Sequence, residues 1–184
     1  MQIEQRFISI NKFSRPGVLL EGVRGIVVHW VDGAGQSAQN VVDYFEILGK
    51  QGQLAPYESF ASAHFVVGLY GEILQCIPEN EMAYHVGASA YTTIARKKLG
   101  SYPNNSTLGI EFCHPDRTGV FRAETLCAAA WLIRALLGRY KLAYGDIYRH
   151  FDITGKICPK YFAENEDAWR EFLHQCRAIE NSGE

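Results

Sequence analysis

Residues 25–30 of the chain read GIVVHW, and this stretch decides the fold class. Its three consecutive β-branched residues, Ile26 to Val28, are typical of a buried strand. His29 falls at the carboxyl end of the predicted strand, where core packing does not call for a polar side chain. The stretch therefore predicts a core strand that ends in a residue with possible chemistry.

The patterns around this strand predict helices and strands that interleave along the chain. Helices are predicted over residues 38–48, 93–99, 123–140 and 164–179, and further strands over residues 63–68, 72–77, 107–113 and 147–150. A short turn joins the second and third strands, so these two are expected to form a hairpin. Loops are expected over residues 49–59 and 152–159. We expect an α/β fold with a mixed central β-sheet flanked by helices, in a single domain that covers residues 1–184.

Composition excludes several classes of protein. The 184 residues are 47% hydrophobic and 21% charged, which is typical of a globular domain and not of a disordered chain. The net charge of −2 disfavours a strongly basic nucleic-acid binder. No stretch approaches the roughly 20 apolar residues of a membrane helix. The first residues, MQIEQRFISINKF, lack an apolar segment, so we expect no secretory signal in this chain.

The cysteines do not form a disulfide framework, because the five of them show neither a CxxC pair nor regular spacing. Most are expected to be small buried hydrophobic residues in a reducing compartment. Cys158 differs, since it lies in a polar loop between Lys156 and Pro159. This context makes Cys158 a candidate for chemistry.

His29, His150 and Cys158 together form a candidate zinc site. Imidazole and thiolate are ligands that Zn²⁺ prefers, and three protein ligands leave a fourth position open for water, as in catalytic zinc sites. The alternative is that these residues have only a structural role. A histidine at a strand end is often a hydrogen-bonded structural residue, and the eight-residue spacing from His150 to Cys158 matches no short zinc-finger spacing.

Two further residues are candidates for catalysis. Glu111 lies within an apolar predicted strand, where a buried carboxylate is costly unless it is paired or functional. It could act as a general base, or it could simply face solvent. Lys156 could supply positive charge to a developing oxyanion, or it could be a solvated loop lysine.

In order along the chain, these segments and several others resemble the zinc-dependent N-acetylmuramoyl-L-alanine amidases. This is the type-2 amidase family, which includes phage endolysins, bacterial autolysins and the peptidoglycan recognition proteins. The matching stretches are SRPG at 14–17, GIVVHW at 25–30, ASAHF at 61–65, GEILQ at 71–75, AYHVG at 83–87, NNSTLGIE at 104–111 and RHFDITGKICP at 149–159. The ordered set covers most of the chain, and it implies the type-2 amidase fold.

The resemblance implies roles for the matching positions. Three of them match the zinc ligands of the family, namely His29, His150 and Cys158. Glu111 matches the catalytic glutamate, and Lys156 matches the residue that polarises the scissile carbonyl. Positions that line the substrate groove in family members correspond here to Trp30, His85 and Asn105. Some members have a catalytic tyrosine just before the histidine that aligns with His64, and this chain has Ala63 there.

The implied activity is hydrolysis of the amide bond between N-acetylmuramic acid and L-alanine in peptidoglycan, with one Zn²⁺ per chain. The implied partner is peptidoglycan, without nucleic-acid binding or membrane insertion. A phage endolysin or a bacterial autolysin would be made in the cytoplasm and act on the cell wall after release, through a holin if phage-encoded. Two rival functions are a peptidoglycan-binding module without catalysis and a cysteine peptidase that uses Cys158 with His150.

Overall fold

The computed structural model describes residues 1–50 and 59–177, and its centre is one β-sheet. The six strands are β1 (Ile3–Gln5), β2 (Gly25–Trp30), β3 (Phe65–Val67), β4 (Ile73–Gln75), β5 (Thr107–Phe112) and β6 (Ile147–Arg149). Their spatial order is β1-β4-β3-β5-β2-β6. Only the pair β3–β4 is antiparallel among these strands, and the other neighbours are parallel. The predicted hairpin and the predicted mixed sheet are confirmed.

In the described part of the chain, six α-helices accompany the sheet. They are α1 (Ala38–Lys50), α2 (Thr93–Leu99), α3 (Ala123–Tyr140), α4 (His150–Thr154), α5 (Lys160–Glu164) and α6 (Glu166–Arg177). Within the described ranges, none of them combines the length and the hydropathy needed to cross a lipid bilayer.

The carboxyl-terminal part of the chain differs from the prediction. The helix predicted over residues 164–179 is found as α6, which begins at Glu166 because the backbone at Asn165 is extended, with φ −134° and ψ 93°. The short helix α5, which ends just before Asn165, was not predicted. The predicted end of the last helix at Ile179 lies outside the described residues, as does most of the loop expected between Gly49 and Ser59. The loop expected over residues 152–159 begins only at Gly155, because residues 152–154 belong to the short helix α4.

The two faces of the sheet pack differently. One face is covered by α3, α5 and α6, whose apolar side chains form a core cluster with Ile26, Val28, Ile110 and Phe112. The other face is shared by two smaller clusters, one built on α1 and the other on α2 and α4. The cysteines largely behave as expected, since those at 76, 113, 158 and 176 are buried and Cys127 is exposed.

Strand register brings the candidate site residues together. β2 and β5 run parallel, and His29 is the direct partner of Glu111 at their carboxyl ends. β6 lies on the other side of β2 with Arg149 opposite Val28, so His150 follows level with His29. Carboxyl ends of parallel strands meet at one edge of a sheet, which is the usual place for a site in α/β folds.

Candidate metal centre and catalytic cleft

His29 and Glu111 project from the sheet face opposite the α3–α6 core. Side chains alternate along a strand, so the burial of Val28 and Ile110 in that core turns His29 and Glu111 to the other face. His29 is nearly inaccessible, at 2% exposure. The two functional groups are thus held on adjacent hydrogen-bonded strands and not on loops.

A buried arginine anchors the segment that carries His150. The guanidinium of Arg149 forms ion pairs with Asp152 at 2.8 Å and Glu166 at 2.7 Å, and it donates to the carbonyl of Phe162 at 2.9 Å. Asp152 also accepts from the main-chain N–H of Arg149 at 2.7 Å. These contacts fix the junction of β6 and α4, where His150 begins the helix.

The loop after α4 folds back and brings Cys158 beside the histidines. Gly155 ends the helix with φ +81°, a left-handed conformation that favours glycine, and its N–H donates to the carbonyl of Phe151. The N–H of Phe151 in turn donates to the carbonyl of Cys158 at 2.9 Å. The loop is therefore closed at its base, and the buried Cys158 lies next to the strand end.

Three potential metal-ligand atoms converge at this point. Nδ1 of His29 lies 3.2 Å from Nδ1 of His150 and 3.8 Å from Sγ of Cys158. One ligand atom from each of these three residues lies within 4.8 Å of the others. Among the residues in the described ranges, no other group of histidine, cysteine and acidic side chains forms such a cluster.

The chemistry of these donors fits a metal ion. Burial lowers the pKa of His29 well below its usual value and lowers that of His150 to about 4, so both imidazoles are neutral near pH 7 with lone pairs available. Burial also raises the pKa of the Cys158 thiol to about 12. A nearby cation is what converts such a thiol to the thiolate form. Two imidazoles and one sulfur are a donor set suited to zinc.

Glu111 lies beside this cluster with one oxygen unpaired. Its Oε2 is buried and has no hydrogen-bond partner among the residues the structure describes. Burial raises the pKa of Glu111 to about 8, and the charge of Lys156 acts in the opposite direction. A buried carboxyl group without a partner is costly for folding, which indicates that it is retained for function.

The cluster opens into a cleft of about 1170 Å³. Lys156 is exposed at this cleft, and Glu111, His150 and Cys158 also line it. Aromatic side chains lie along the walls, namely Tyr44, Phe60, Tyr84 and Tyr102. The cleft is large enough for a ligand of several residues or sugar rings, since drug-sized ligands occupy pockets of roughly 300–1,000 Å³.

The three residues predicted to bind substrate are placed differently. Trp30 is in the cleft wall, and its ring stacks on His114 with centroids 4.6 Å apart. His85 is also in the wall, but it is only 8% exposed and both ring nitrogens have protein partners. Neither ring nitrogen of His85 is therefore free to hydrogen-bond a ligand in this arrangement, and its contact with substrate stays a prediction.

The prediction for Asn105 is not supported, because the structure brings its neighbour to the cleft. The side chain of Asn105 donates to Glu21 at 3.0 Å and is outside the cleft lining. Asn104 lines the cleft, where its Oδ1 accepts from the main-chain N–H groups of His85 and Val86. Consecutive side chains of the tight turn at 103–105 point in different directions. The residue that lines the cleft is therefore Asn104, one position before the predicted residue.

Sequence reasoning missed the contribution of α1 to the cleft. Asn40 and Tyr44 of α1 line the cleft, together with Gln36 just before the helix, at intervals of four residues. The side chain of Asn40 donates to that of Gln36 at 3.0 Å. The polar stripe beside the apolar face of this helix is the signal that could have identified the wall.

The residue before His64, where some family members have a catalytic tyrosine, is Ala63, which has no polar side chain. Ala63 is completely buried in the cluster below α1. His64 is also buried, with Nε2 donating to the carbonyl of Glu81 at 2.8 Å and Nδ1 accepting from the N–H of Gly109 at 3.0 Å. His64 is therefore a structural residue that joins the strand edge to β5.

Comparisons with known proteins bear on identity. The family model described as N-acetylmuramoyl-L-alanine amidase matches residues 20–161. The chain is 35% identical to the N-acetylmuramoyl-L-alanine amidase CwlL of Bacillus licheniformis over 159 residues, which is 86% of this chain and 42% of that protein. It is 30% identical to the amidase BlyA of Bacillus subtilis over 181 residues, covering 94% of this chain and 46% of that protein. The chain thus spans less than half the length of these relatives.

Structural similarity agrees with the sequence matches. A solved structure described as a mutant endolysin from Bacillus subtilis superposes with a TM-score of 0.72 at 27% identity, covering 96% of this chain and 99% of the other. The resemblance noted in the sequence is confirmed, and the predicted fold with it. The chain belongs to the N-acetylmuramoyl-L-alanine amidase family.

Proposed function

We propose that this chain hydrolyses the amide bond between N-acetylmuramic acid and L-alanine in peptidoglycan, with one zinc ion held by His29, His150 and Cys158. Its site of action is the bacterial cell wall, and peptidoglycan is its partner. The observation that carries the proposal is the convergence of these three ligand atoms beside the unpaired Oε2 of Glu111, at the base of a long cleft.

The residues around the cluster suit amide hydrolysis. The chemistry that the ion supplies when bound is Lewis-acid activation of a water molecule and of a carbonyl oxygen. Glu111 accepts the proton of the attacking water at Oε2 and passes it to the nitrogen of the departing amine. Its pKa, raised by burial to about 8, suits a group that must both take and return a proton near neutral pH.

Lys156 supports the same step from the mouth of the cleft. Lys156 lines the cleft together with Glu111, His150 and Cys158, and its positive charge lowers the pKa of each of these three groups. Negative charge develops on the carbonyl oxygen as the water adds, and a fixed cation nearby stabilises it. Lys156 is exposed, so it can reach this oxygen without leaving a buried partner unpaired.

The cysteine peptidase alternative is disfavoured by the environment of Cys158. A nucleophilic cysteine needs a lowered pKa and an adjacent base that can hold a proton. Burial instead raises the pKa of Cys158 to about 12 and lowers that of His150 to about 4. This pair favours the uncharged thiol and imidazole, which is the wrong state for a thiolate nucleophile.

Mass analysis of digested peptidoglycan tests the proposal. Purified peptidoglycan is incubated with the protein, and the fragments are analysed before and after treatment with a chelator. We expect glycan strands stripped of peptide, new amino groups on L-alanine, loss of release with chelator and recovery with added zinc. New reducing sugar ends, cleavage inside the stem peptide, release that ignores the chelator, or binding without any release would each contradict the proposal.

A further inference from the structure

A row of buried imidazoles leads from the sheet to the candidate metal centre. The ring centroids of His64 and His85 are 5.8 Å apart, those of His85 and His29 are 5.2 Å apart, and those of His29 and His150 are 4.9 Å apart. His85 occupies the middle of this row and faces the ring edge of His29 that points away from the cluster. The role of His85 follows from which of its two ring nitrogens carries the proton and which carries the lone pair.

The position of His85 is tightly fixed. Asn104 holds its main-chain N–H at 3.2 Å, and the ring lies directly over Gly109 of β5. A Cβ atom at Gly109 would come within 2.5 Å of Cγ of His85. Only a residue without a side chain lets the imidazole approach the strand this closely. The ring orientation is therefore determined by backbone and not by solvent.

The surroundings of Nε2 determine which nitrogen of His85 carries the proton. Nε2 lies 3.3 Å from the carbonyl oxygen of Thr107, which can only accept. It also lies 3.2 Å from Oγ1 of Thr107, whose own proton is donated to the carbonyl of Pro103 at 2.8 Å. Both neighbours present lone pairs, so Nε2 of His85 must be the protonated nitrogen. In the neutral ring Nδ1 is then an acceptor.

The same reasoning extends one step to His29. Nε2 of His29 lies 3.0 Å from Nδ1 of His85. Because that Nδ1 offers a lone pair, Nε2 of His29 must donate to it. Nδ1 of His29 is left unprotonated, and this is the atom that faces His150 and Cys158. The opposite tautomer would set two lone pairs against each other at 3.0 Å.

We propose that His85 is a positioning residue for the metal centre. Its Nε2–H donates to Thr107, so its Nδ1 accepts from the Nε2–H of His29. Nδ1 of His29 is thereby held as a lone-pair donor toward the metal. The inference rests on the proposed function for the identity of the ion. It needs no contact between His85 and substrate. Buried partners of this kind fix the tautomer and orientation of metal-binding histidines, and their loss typically costs ~10–100-fold in metal affinity.

Two substitutions of matched shape test the relay. His85→Asn keeps an acceptor oxygen where Nδ1 lies, and His85→Leu replaces that acceptor with a methyl group of similar size. Zinc affinity is measured by competition with a chromophoric chelator, and folding is checked by thermal unfolding. We expect His85→Leu to weaken zinc binding ~10–100-fold. We expect His85→Asn to stay within about 3-fold of the wild type, because the hydrogen bond from His29 is retained.

A second readout does not depend on metal binding. Long-range proton–nitrogen correlation spectra of the metal-free wild-type protein report which nitrogen of His29 is protonated. We expect the Nε2–H form in the wild type and in His85→Asn, and its loss in His85→Leu. A wild type with Nδ1–H on His29, or equal zinc affinity in the Asn and Leu variants, would overturn the relay. A wild type with the expected tautomer that binds no zinc would overturn the proposed function alone.

Discussion

The two faces of the central sheet use the same strands for opposite purposes. On the face below α3 and α6, apolar side chains close a continuous core. On the other face, the same strands present His29 and Glu111 at the base of an open cleft. Successive side chains of a strand point to opposite faces, so two residues adjacent in sequence, about 3–4 Å apart, can serve the two purposes. The core face thereby fixes the backbone from which the site face takes its geometry.

Exchange of the carboxyl group on the site face gives the largest expected effect. Glu111→Gln keeps the shape of the side chain but removes the proposed proton acceptor. We expect peptidoglycan hydrolysis to fall ~10²–10⁴-fold, the usual contribution of a positioned general base. Release of muropeptides from purified peptidoglycan measures the change. Zinc affinity and unfolding free energy are expected to stay near those of the wild type, since Glu111 is neither a proposed ligand nor a paired core residue.

A Glu111→Gln variant that retained more than about a tenth of the wild-type rate would contradict the base assignment. Loss of a general base lowers the rate by more than that. A large fall in zinc affinity would move Glu111 into the ligand set instead. Unfolding measured in parallel separates both outcomes from simple misfolding.

The adjacent residue on the core face is expected to show the opposite pattern. Ile110→Ala removes a side chain that is completely buried against the α3–α6 core. Truncations of this kind cost ~2–5 kcal/mol of unfolding free energy, through lost burial and the cavity left behind. Denaturant unfolding measures this, and hydrolysis per folded molecule is expected to remain close to wild type. A loss of rate beyond the unfolded fraction would show that the two faces are not separable.

His64 sharpens the comparison, because it lies on the site face but acts as a structural residue. Burial lowers the pKa of His64 to about 4. The unfolded chain therefore binds a proton near pH 6.5, before the folded protein does, so stability falls as pH drops from about 6.5 to 4. Over that window the free energy of unfolding falls by on the order of 3 kcal/mol. This part of the stability is fully present above about pH 6.5.

Unfolding free energy of the wild type and of His64→Gln, measured from pH 7.5 to pH 4, isolates this contribution. The other buried histidines are common to both proteins, so their effects cancel in the difference. We expect the wild type to lose more stability than the variant on acidification. Parallel curves would show that His64 binds its proton equally well in both states.

The helices and strands that contain a long run of buried apolar side chains could be predicted from the sequence. β2 and α3 follow from consecutive β-branched residues and from three- and four-residue recurrence, because their own side chains supply most of the burial. β1 could not be predicted, since its three residues are mostly exposed and it is ordered by pairing with β4. The short helix α5 was likewise not predicted, because a helix of five residues forms only through tertiary packing.

The site was accessible to sequence reasoning only in part. Residue type and position at a strand end or in a polar loop made His29, His150 and Cys158 candidates, and the family resemblance implied a role for each. The positioning role proposed for His85 could not be predicted, because its partners His29 and Thr107 are 56 and 22 residues away. The family resemblance implied a groove residue, and only the fold reveals that both ring nitrogens have protein partners.

The direct pairing of His29 with Glu111 has a practical consequence for engineering. Neighbouring strands in a sheet stand about 4.8 Å apart, so the separation between the proposed proton acceptor and the proposed metal ligand is set by the peptide backbone. Loops around the mouth of the cleft can then be exchanged while the spacing of these two side chains is kept. Recombination with related amidase domains is expected to preserve this spacing wherever the crossover points leave the strand pair intact.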